Sequence, residues 1–148
     1  MSRRLLVPLL SLSVLAAACN GPLLLLPGGR LEGPTAPVPA DWTLLGDVST
    51  VQLETGTSEP YSVNIWAVGA GPHVYVHAGA NRATWIENME REPEVRLRVE
   101  GTIYELRAVR VEDQAEFDRF AELYEQKYGS RPRNESVVEA YLFRLGAG

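Results

Sequence analysis

The sequence has one cysteine, one lysine and too few basic residues to balance its acidic ones. Because Cys19 has no second cysteine to pair with, no disulfide can form within one chain, and packing must stabilise the fold. Nineteen acidic residues face fourteen basic ones, giving a formal net charge of −5. This balance argues against broad nucleic-acid binding, which requires a basic surface. The sequence also lacks a Gly-rich phosphate loop, a Ser-His-Asp signature and a paired-carboxylate motif.

Long apolar runs are equally scarce, and the one that exists follows the basic pair Arg3-Arg4 at the amino terminus. It ends in three alanines, Ala16 to Ala18, directly before Cys19, which is the order of a bacterial lipoprotein signal. The segment resembles the lipobox pattern, with Ala16 where leucine is commoner. This resemblance implies cleavage before Cys19, a diacylglyceryl group on its thiol and an acyl chain such as palmitate on the new amine. An ordinary secretory signal with an incidental cysteine is the alternative.

These features predict three parts: a signal peptide at 1–18, lipidated Cys19 with a Pro/Gly-rich linker at 19–40, and a domain at 41–148. The mature chain would be attached by its lipid to a membrane of the cell envelope, facing the periplasm or the cell exterior. The four leucines at 23–26 are too few to span a bilayer. They either dip into the headgroup region or plug against the domain.

Alternating apolar and polar residues predict strands at 48–55, 61–68, 74–78, 95–99 and 102–111. The alternation slips by one residue at Ala108-Val109, which predicts a β-bulge. Asn81 is a candidate cap for a helix that runs to Arg91 and is ended by Pro93. The pattern from Asp113 to Glu116 predicts the start of a second helix, and Gly129 its end. Residues 141–145 fit a last strand, with a helix from residue 135 as the competing interpretation.

The order of these elements and several short motifs resemble the split β-barrel family of flavin- and deazaflavin-binding proteins, the pyridoxamine-phosphate-oxidase-like and nitroreductase-like group. The motifs, in chain order, are a strand that follows Pro60, an aromatic strand around Tyr75, the Asn88-Met89 pair and a strand that follows Pro93. The resemblance covers about residues 41–145. It implies an α+β fold, a six- to seven-stranded antiparallel split β-barrel with two or three helices.

The resemblance also implies a cofactor, FMN or a deazaflavin, and places residues around it. Arg82 matches the basic residue that holds the cofactor phosphate, with His77 and Asn81 near that end. Ser62 and Asn64 lie on the strand that lines the ring system, and an aromatic side chain such as Trp66 covers a ring face. Trp85, in the following helix, is a further candidate for cofactor contact. For both tryptophans, burial in the core is the alternative.

Two functions follow for the domain. One is a small-molecule oxidoreductase of the envelope, in which the cofactor supplies the hydride chemistry. The other is a cofactor-free, lipid-anchored binding or structural domain. The resemblance further implies a homodimer, with the strand surface of Arg96 and Arg98 as a candidate contact. No carboxylate or cysteine completes a ligand set with His73 and His77, so no metal is expected.

Overall fold

Seven antiparallel strands form one sheet in the computed structural model, which describes residues 21–79 and 82–148. The strand order is β2-β1-β5-β6-β7-β4-β3. Cys19 and Asn81 lie outside the described residues. The elements, in chain order, are β1 Val51–Thr55, β2 Tyr61–Ile65, β3 Ala67–Ala70, β4 His73–Ala78, α1 Thr84–Arg91, β5 Glu94–Val99, β6 Thr102–Arg110, α2 Gln114–Tyr128 and β7 Tyr141–Gly146.

The sheet curls into a barrel because its two edge strands are consecutive in the chain. β2 pairs with β1 at one edge, and β3 pairs with β4 at the other, yet only Trp66 separates β2 from β3. A flat seven-stranded sheet would hold its edges roughly 29 Å apart, at about 4.8 Å per strand. The two Cα steps from Ile65 to Ala67 span at most about 7 Å, so the edges must meet at Trp66. The prediction of one strand over 61–68 is therefore wrong, and the break is the split of the barrel.

The barrel interior is filled by the inward residues of the alternating strands. Val95, Leu97 and Val99 of β5 are buried, as the alternation predicts. Helix α1 closes this core with Trp85, Ile86 and Met89, and Trp42 packs edge-on to Tyr104. A second apolar cluster joins the sheet to α2, through Phe117, Phe120, Ala121 and Tyr124.

Several predicted element boundaries are confirmed. Asp113 caps α2 by accepting a hydrogen bond from the Glu116 N–H at 3.0 Å, and Gly129 ends it with a φ of +77°. After α1 the chain becomes extended at Glu92, before Pro93. Residues 141–146 form a strand, which settles the alternative at the carboxyl terminus. Neither helix in the described part of the chain combines the length and apolar content needed to cross a bilayer.

Two local predictions are wrong. Residues 107–110 of β6 pair without interruption with residues 146–143 of β7, so β6 has no bulge at Ala108-Val109. The apolar alternation slips because two valines break it without a change in strand geometry. Val109 is an exposed apolar residue within β6, and Val111 is buried just after the strand ends at Arg110. Helix α1 begins at Thr84, with no side-chain cap. Arg82 therefore precedes the helix instead of opening it.

Residues 28–36, predicted as part of a linker, cross the outer face of the sheet as an N-terminal strap. At one end Gly28 and Ser62 exchange two backbone hydrogen bonds, of 2.9 and 2.8 Å, on the free edge of β2. At the other end Ile103 of β6 donates to Pro34 and accepts from Ala36. Between them Leu31 is buried. The strap therefore belongs to the folded unit.

A buried carboxylate fastens the middle of the strap. Glu54 of β1 is 4% exposed and accepts hydrogen bonds from the Leu31 N–H at 2.6 Å and from Arg96 Nη1 at 2.8 Å. Arg96 also donates to the Leu31 carbonyl, and Arg98 donates to that of Glu32. These two arginines were the expected dimer contact. A homodimer that used this face would have to include the strap in its interface.

Candidate functional site

A cleft of about 560 Å³ opens where the barrel is split. Its walls come from the N-terminal segment, the junction of β2 with β3, strand β4 and helix α2. The lining is mostly apolar and aromatic with a few polar groups, as is common in small-molecule sites. The lining residues are Leu24, Leu25, Thr50, Asn64, Ile65, Trp66, His77, Gly79 and Tyr124.

Helix α2 makes the cleft possible because its last turns satisfy the backbone at the split. The Tyr128 hydroxyl accepts the Ala67 N–H at 3.1 Å and lies 3.0 Å from the carbonyls of Ser49 and Ala67. Lys127 Nζ donates to the Ala67 carbonyl at 2.7 Å. Burial lowers the pKa of Lys127 and is the main cause of the raised pKa of Tyr128. The Ala67 N–H and carbonyl are thus satisfied by side chains of α2.

Aromatic rings form one wall of the cleft. Trp66 stacks on Tyr128 with ring centroids 4.5 Å apart and planes 8° from parallel. Tyr124 lies 6.1 Å from Trp66, and burial raises the pKa of its hydroxyl. Trp66 is nonetheless 49% exposed. An indole fixed on one side and exposed on the other is suited to stacking on a flat ligand ring.

His77 stands opposite on β4, between two rings of α2. Its imidazole contacts Phe120 and Tyr124 edge-on, at 5.3 and 4.9 Å between centroids. The ring forms no hydrogen bond with another residue in the described part of the chain. Burial lowers its pKa from 6.5 to about 4. His77 is therefore neutral at physiological pH and offers the cleft one donor and one acceptor nitrogen.

This pKa shift makes the stability of the fold depend on pH. The unfolded chain protonates His77 near pH 6.5 and the folded chain only near pH 4, so stability falls as the pH drops between these values. We expect wild type to lose about 2–3 kcal/mol more than His77→Phe between pH 7 and pH 4.5. Urea unfolding of both proteins at the two pH values measures the difference. Equal losses would contradict a buried neutral His77.

Asn64 ties the N-terminal segment to the rim of the cleft. Its side-chain Nδ2 donates to the Leu24 carbonyl at 2.9 Å and approaches that of Pro22 at 3.4 Å. The amide therefore does two things in one place. It lines the cleft, and it fixes the turn that carries Leu24 and Leu25.

The structure brings only some of the predicted cofactor residues together. Asn64 and His77 line the cleft. Ser62 is fully buried at the edge of β2 that pairs with Gly28, and its hydroxyl has no hydrogen-bond partner among the described residues. Trp85 is buried in the barrel core against Phe143. Arg82 lies outside the cleft lining and forms ion pairs with Glu87 and Glu90.

Sequence reasoning missed the contribution of α2 to the site. The spacing of Phe120, Tyr124 and Tyr128 places them along one stripe of the helix, and such a stripe is equally typical of aromatics in a core or on an exposed helix face. The sequence does not show that this face of α2 packs against the junction of β2 with β3. No group of three or more His, Cys, Asp or Glu side chains in residues 21–79 and 82–148 is placed to hold a metal ion.

No family model matches the chain, and no curated protein matches it either. Solved structures do, at low sequence identity. A candidate 5-nitroimidazole antibiotic resistance protein of Bacteroides thetaiotaomicron superposes with a TM-score of 0.56 and 12% identity, over 70% of this chain and 75% of that one. A candidate pyridoxamine 5'-phosphate oxidase of Listeria innocua gives 0.53 and 15%, over 69% and 86%.

A third similar structure is an FAD-binding protein of Mesorhizobium loti, with a TM-score of 0.52 and 17% identity over 70% of this chain and 84% of that one. At such identities the likeness concerns the fold and not the chemistry. It agrees with the seven-stranded curled sheet and the two helices of this chain. The predicted fold, a seven-stranded antiparallel split β-barrel with two helices, is thus confirmed, and the chain shares it with these three structures.

Proposed function

We propose that this chain is a lipid-anchored protein of the cell envelope whose split barrel binds a flavin-type cofactor, FMN or a deazaflavin, and acts on small molecules as an oxidoreductase. The observation that carries the proposal is the cleft at the split. It combines an exposed indole face, an amide and a neutral imidazole in about 560 Å³. The descriptions of two similar structures, an FAD-binding protein and a candidate pyridoxamine 5'-phosphate oxidase, support the same class.

The residues of the cleft suit the ring half of such a cofactor. Trp66 offers a flat face, while Asn64 and His77 offer polar atoms to ring nitrogens and carbonyls. The bound cofactor would supply hydride transfer, and the chain would position it and limit access of water. The aromatic wall of Trp66 and Tyr124 serves the second purpose. Neutral His77 avoids placing a positive charge beside the ring.

The cleft offers fewer groups that could bind the phosphate of the cofactor. The guanidinium of Arg82, predicted to hold the phosphate, is engaged by Glu87 and Glu90 on the exposed side of α1. To bind a phosphate, Arg82 must first give up its ion pairs with these carboxylates. This exchange lowers the net contribution of Arg82 to the free energy of cofactor binding. A charge-assisted contact contributes about 1.5–3 kcal/mol before that exchange.

Titration of the purified chain with FMN and with riboflavin separates the two halves. Both ligands should bind, and Trp66→Ala should weaken both about tenfold, since a stacking contact of this kind contributes about 0.5–1.5 kcal/mol beyond the buried area. Arg82→Ala should weaken FMN by about one order of magnitude, the lower end of the range for a charge-assisted contact, because Arg82 must first leave Glu87 and Glu90. It should leave riboflavin unchanged, because riboflavin has no phosphate. Quenching of flavin fluorescence reports both affinities. Equal FMN affinities would remove Arg82 from the site.

A cofactor-free binding domain is the second candidate, and two observations favour it. The strap pairs with the strand of Ser62, and the hydroxyl of that serine is fully buried. The carboxylates of α1 neutralise Arg82. Absence of binding by wild type to FMN, FAD and a deazaflavin, in a titration followed by absorbance, would favour this candidate over an oxidoreductase.

A further inference from the structure

We propose that the turn at residues 23–26, together with Trp66, is a membrane-contact surface that seats the domain on the lipid bilayer. This inference shares the lipid anchor of the proposed function but does not depend on cofactor binding. The partner is the bilayer surface, which accepts apolar side chains from a protein that does not span it.

The turn displays its leucines outward in a fixed shape. Leu23 and Leu26 exchange two backbone hydrogen bonds of 3.0 and 2.8 Å, which leaves Leu24 and Leu25 at the tip of a tight hairpin. The Asn64 amide holds the Leu24 carbonyl from below. Leu24 is 82% exposed and Leu25 is 99% exposed. A contiguous apolar patch of this kind on an otherwise acidic protein indicates an interaction site.

The conformation of Leu24 is unfavourable in the isolated domain. Its φ of +53° lies in the left-handed region, where glycine or asparagine is the usual residue of a two-residue hairpin. A leucine there incurs steric strain and exposes its side chain to water. The hydrogen bonds of Asn64 and of Leu23 with Leu26 fix this backbone, but they leave the Leu24 side chain 82% exposed. A partner that covers the side chain would therefore stabilise the turn.

The position of the turn in the chain favours the bilayer as that partner. Cys19, predicted to be lipidated, is four residues before Leu23, so the two are at most about 14 Å apart. An anchored Cys19 therefore keeps the hairpin within reach of the headgroup region. Trp66, on the same rim of the cleft, has the amphipathic ring typical of membrane interfaces. The cleft would then open beside the membrane.

The charge of the protein determines which lipids are needed. Residues 19–148 hold twelve basic and nineteen acidic side chains, so anionic lipids should not assist binding. Insertion of apolar side chains is the driving force. Vesicles of phosphatidylcholine and phosphatidylethanolamine should therefore suffice.

A test without the lipid anchor isolates the surface. A chain beginning at Asn20 contains every strand, both helices and the strap. We expect this protein to float with zwitterionic vesicles. A double variant, Leu24→Asn with Leu25→Ser, should lower the partition coefficient about a hundredfold. Its melting temperature should not fall, because asparagine tolerates the left-handed conformation better than leucine. If Leu24 only stabilised the fold, the double variant would have a lower melting temperature and an unchanged partition coefficient.

Val138→Ser is the matched control, because Val138 is 80% exposed on the segment before β7 and away from the cleft. Its partition should stay within about twofold of wild type, as one exposed side chain outside the contact adds nothing. Spin-labelled lipids should quench the fluorescence of Trp66, while buried Trp42 and Trp85 serve as unquenched references.

Three results would overturn the proposal. They are no binding of the wild-type chain to vesicles, equal binding by the double variant, and binding that requires anionic lipid. Self-association that the double variant abolishes, without vesicle binding, would assign the surface to a second copy of the chain instead. Because no flavin is present in this experiment, its outcome is independent of the proposed cofactor.

Discussion

Replacing Glu54 by alanine should lower the free energy of unfolding by about 3 kcal/mol, because it removes the acceptor that joins the strap to the sheet. The Leu31 N–H and the Arg96 guanidinium would both lose their carboxylate partner. Arg96 is half-buried, so water can only partly replace the lost contact. Urea denaturation of the chain from Asn20 measures the change.

Glu105→Ala is the control for this experiment. Glu105 lies opposite Arg96 in the register of β5 and β6, but its side chain is exposed. Surface pairs of this type contribute little, so the variant should stay within about 0.5 kcal/mol of wild type. If both alanine variants lost the same small amount, the strap would not be fastened by Glu54. Proteolysis between residues 28 and 36 should also accelerate in Glu54→Ala alone.

Replacing Cys19 by serine should release the protein from membranes and leave an uncleaved precursor. The reason is chemical, since serine lacks the thiol that receives the diacylglyceryl group. Two or more acyl chains give stable attachment, whereas one gives only marginal binding. Fractionation of cells that express the wild type and Cys19→Ser, with detection of precursor size, measures both effects. A serine variant that is processed and still membrane-bound would contradict a lipid at Cys19.

Local patterns were sufficient to predict most elements of this fold. The alternation of Val95, Leu97 and Val99 predicts β5 because side chains on a strand point to opposite faces in turn. Asp113 and Gly129 set the ends of α2 through interactions that each helix end requires. The split barrel itself came from the family resemblance, which rested on the order of these elements and on several short motifs.

Long-range pairing could not be derived in the same way. Nothing in residues 61–68 marks Trp66 as the place where the chain changes from one sheet edge to the other, because both neighbouring segments have strand periodicity. The strap has the Pro/Gly composition of a flexible tether. Its fixed position depends on Glu54 and Ile103, which are distant in sequence.

The candidate site was predicted in part for the same reason. Asn64 and His77 could be assigned to one site because the family resemblance supplied the strand pairing. The residues alone did not show that pairing. Ser62 is covered by the strap, whose docking no local pattern revealed. Arg82 was assigned to a helix start that lies two residues later, at Thr84.

The central claim is that the cleft at the split holds a flavin-type ring, and chemical-shift mapping tests it most directly. FMN would be added to the isotope-labelled chain from Asn20. A flavin ring in the cleft should shift the signals of the Asn64 side-chain amide, the Trp66 indole N–H and the His77 imidazole. The indoles of buried Trp42 and Trp85 should stay unchanged. Another cavity, of about 510 Å³, is lined by Arg30, Glu54 and Arg107 among others. Shifts confined to that cavity, or no shifts at all, would contradict a flavin site at the split.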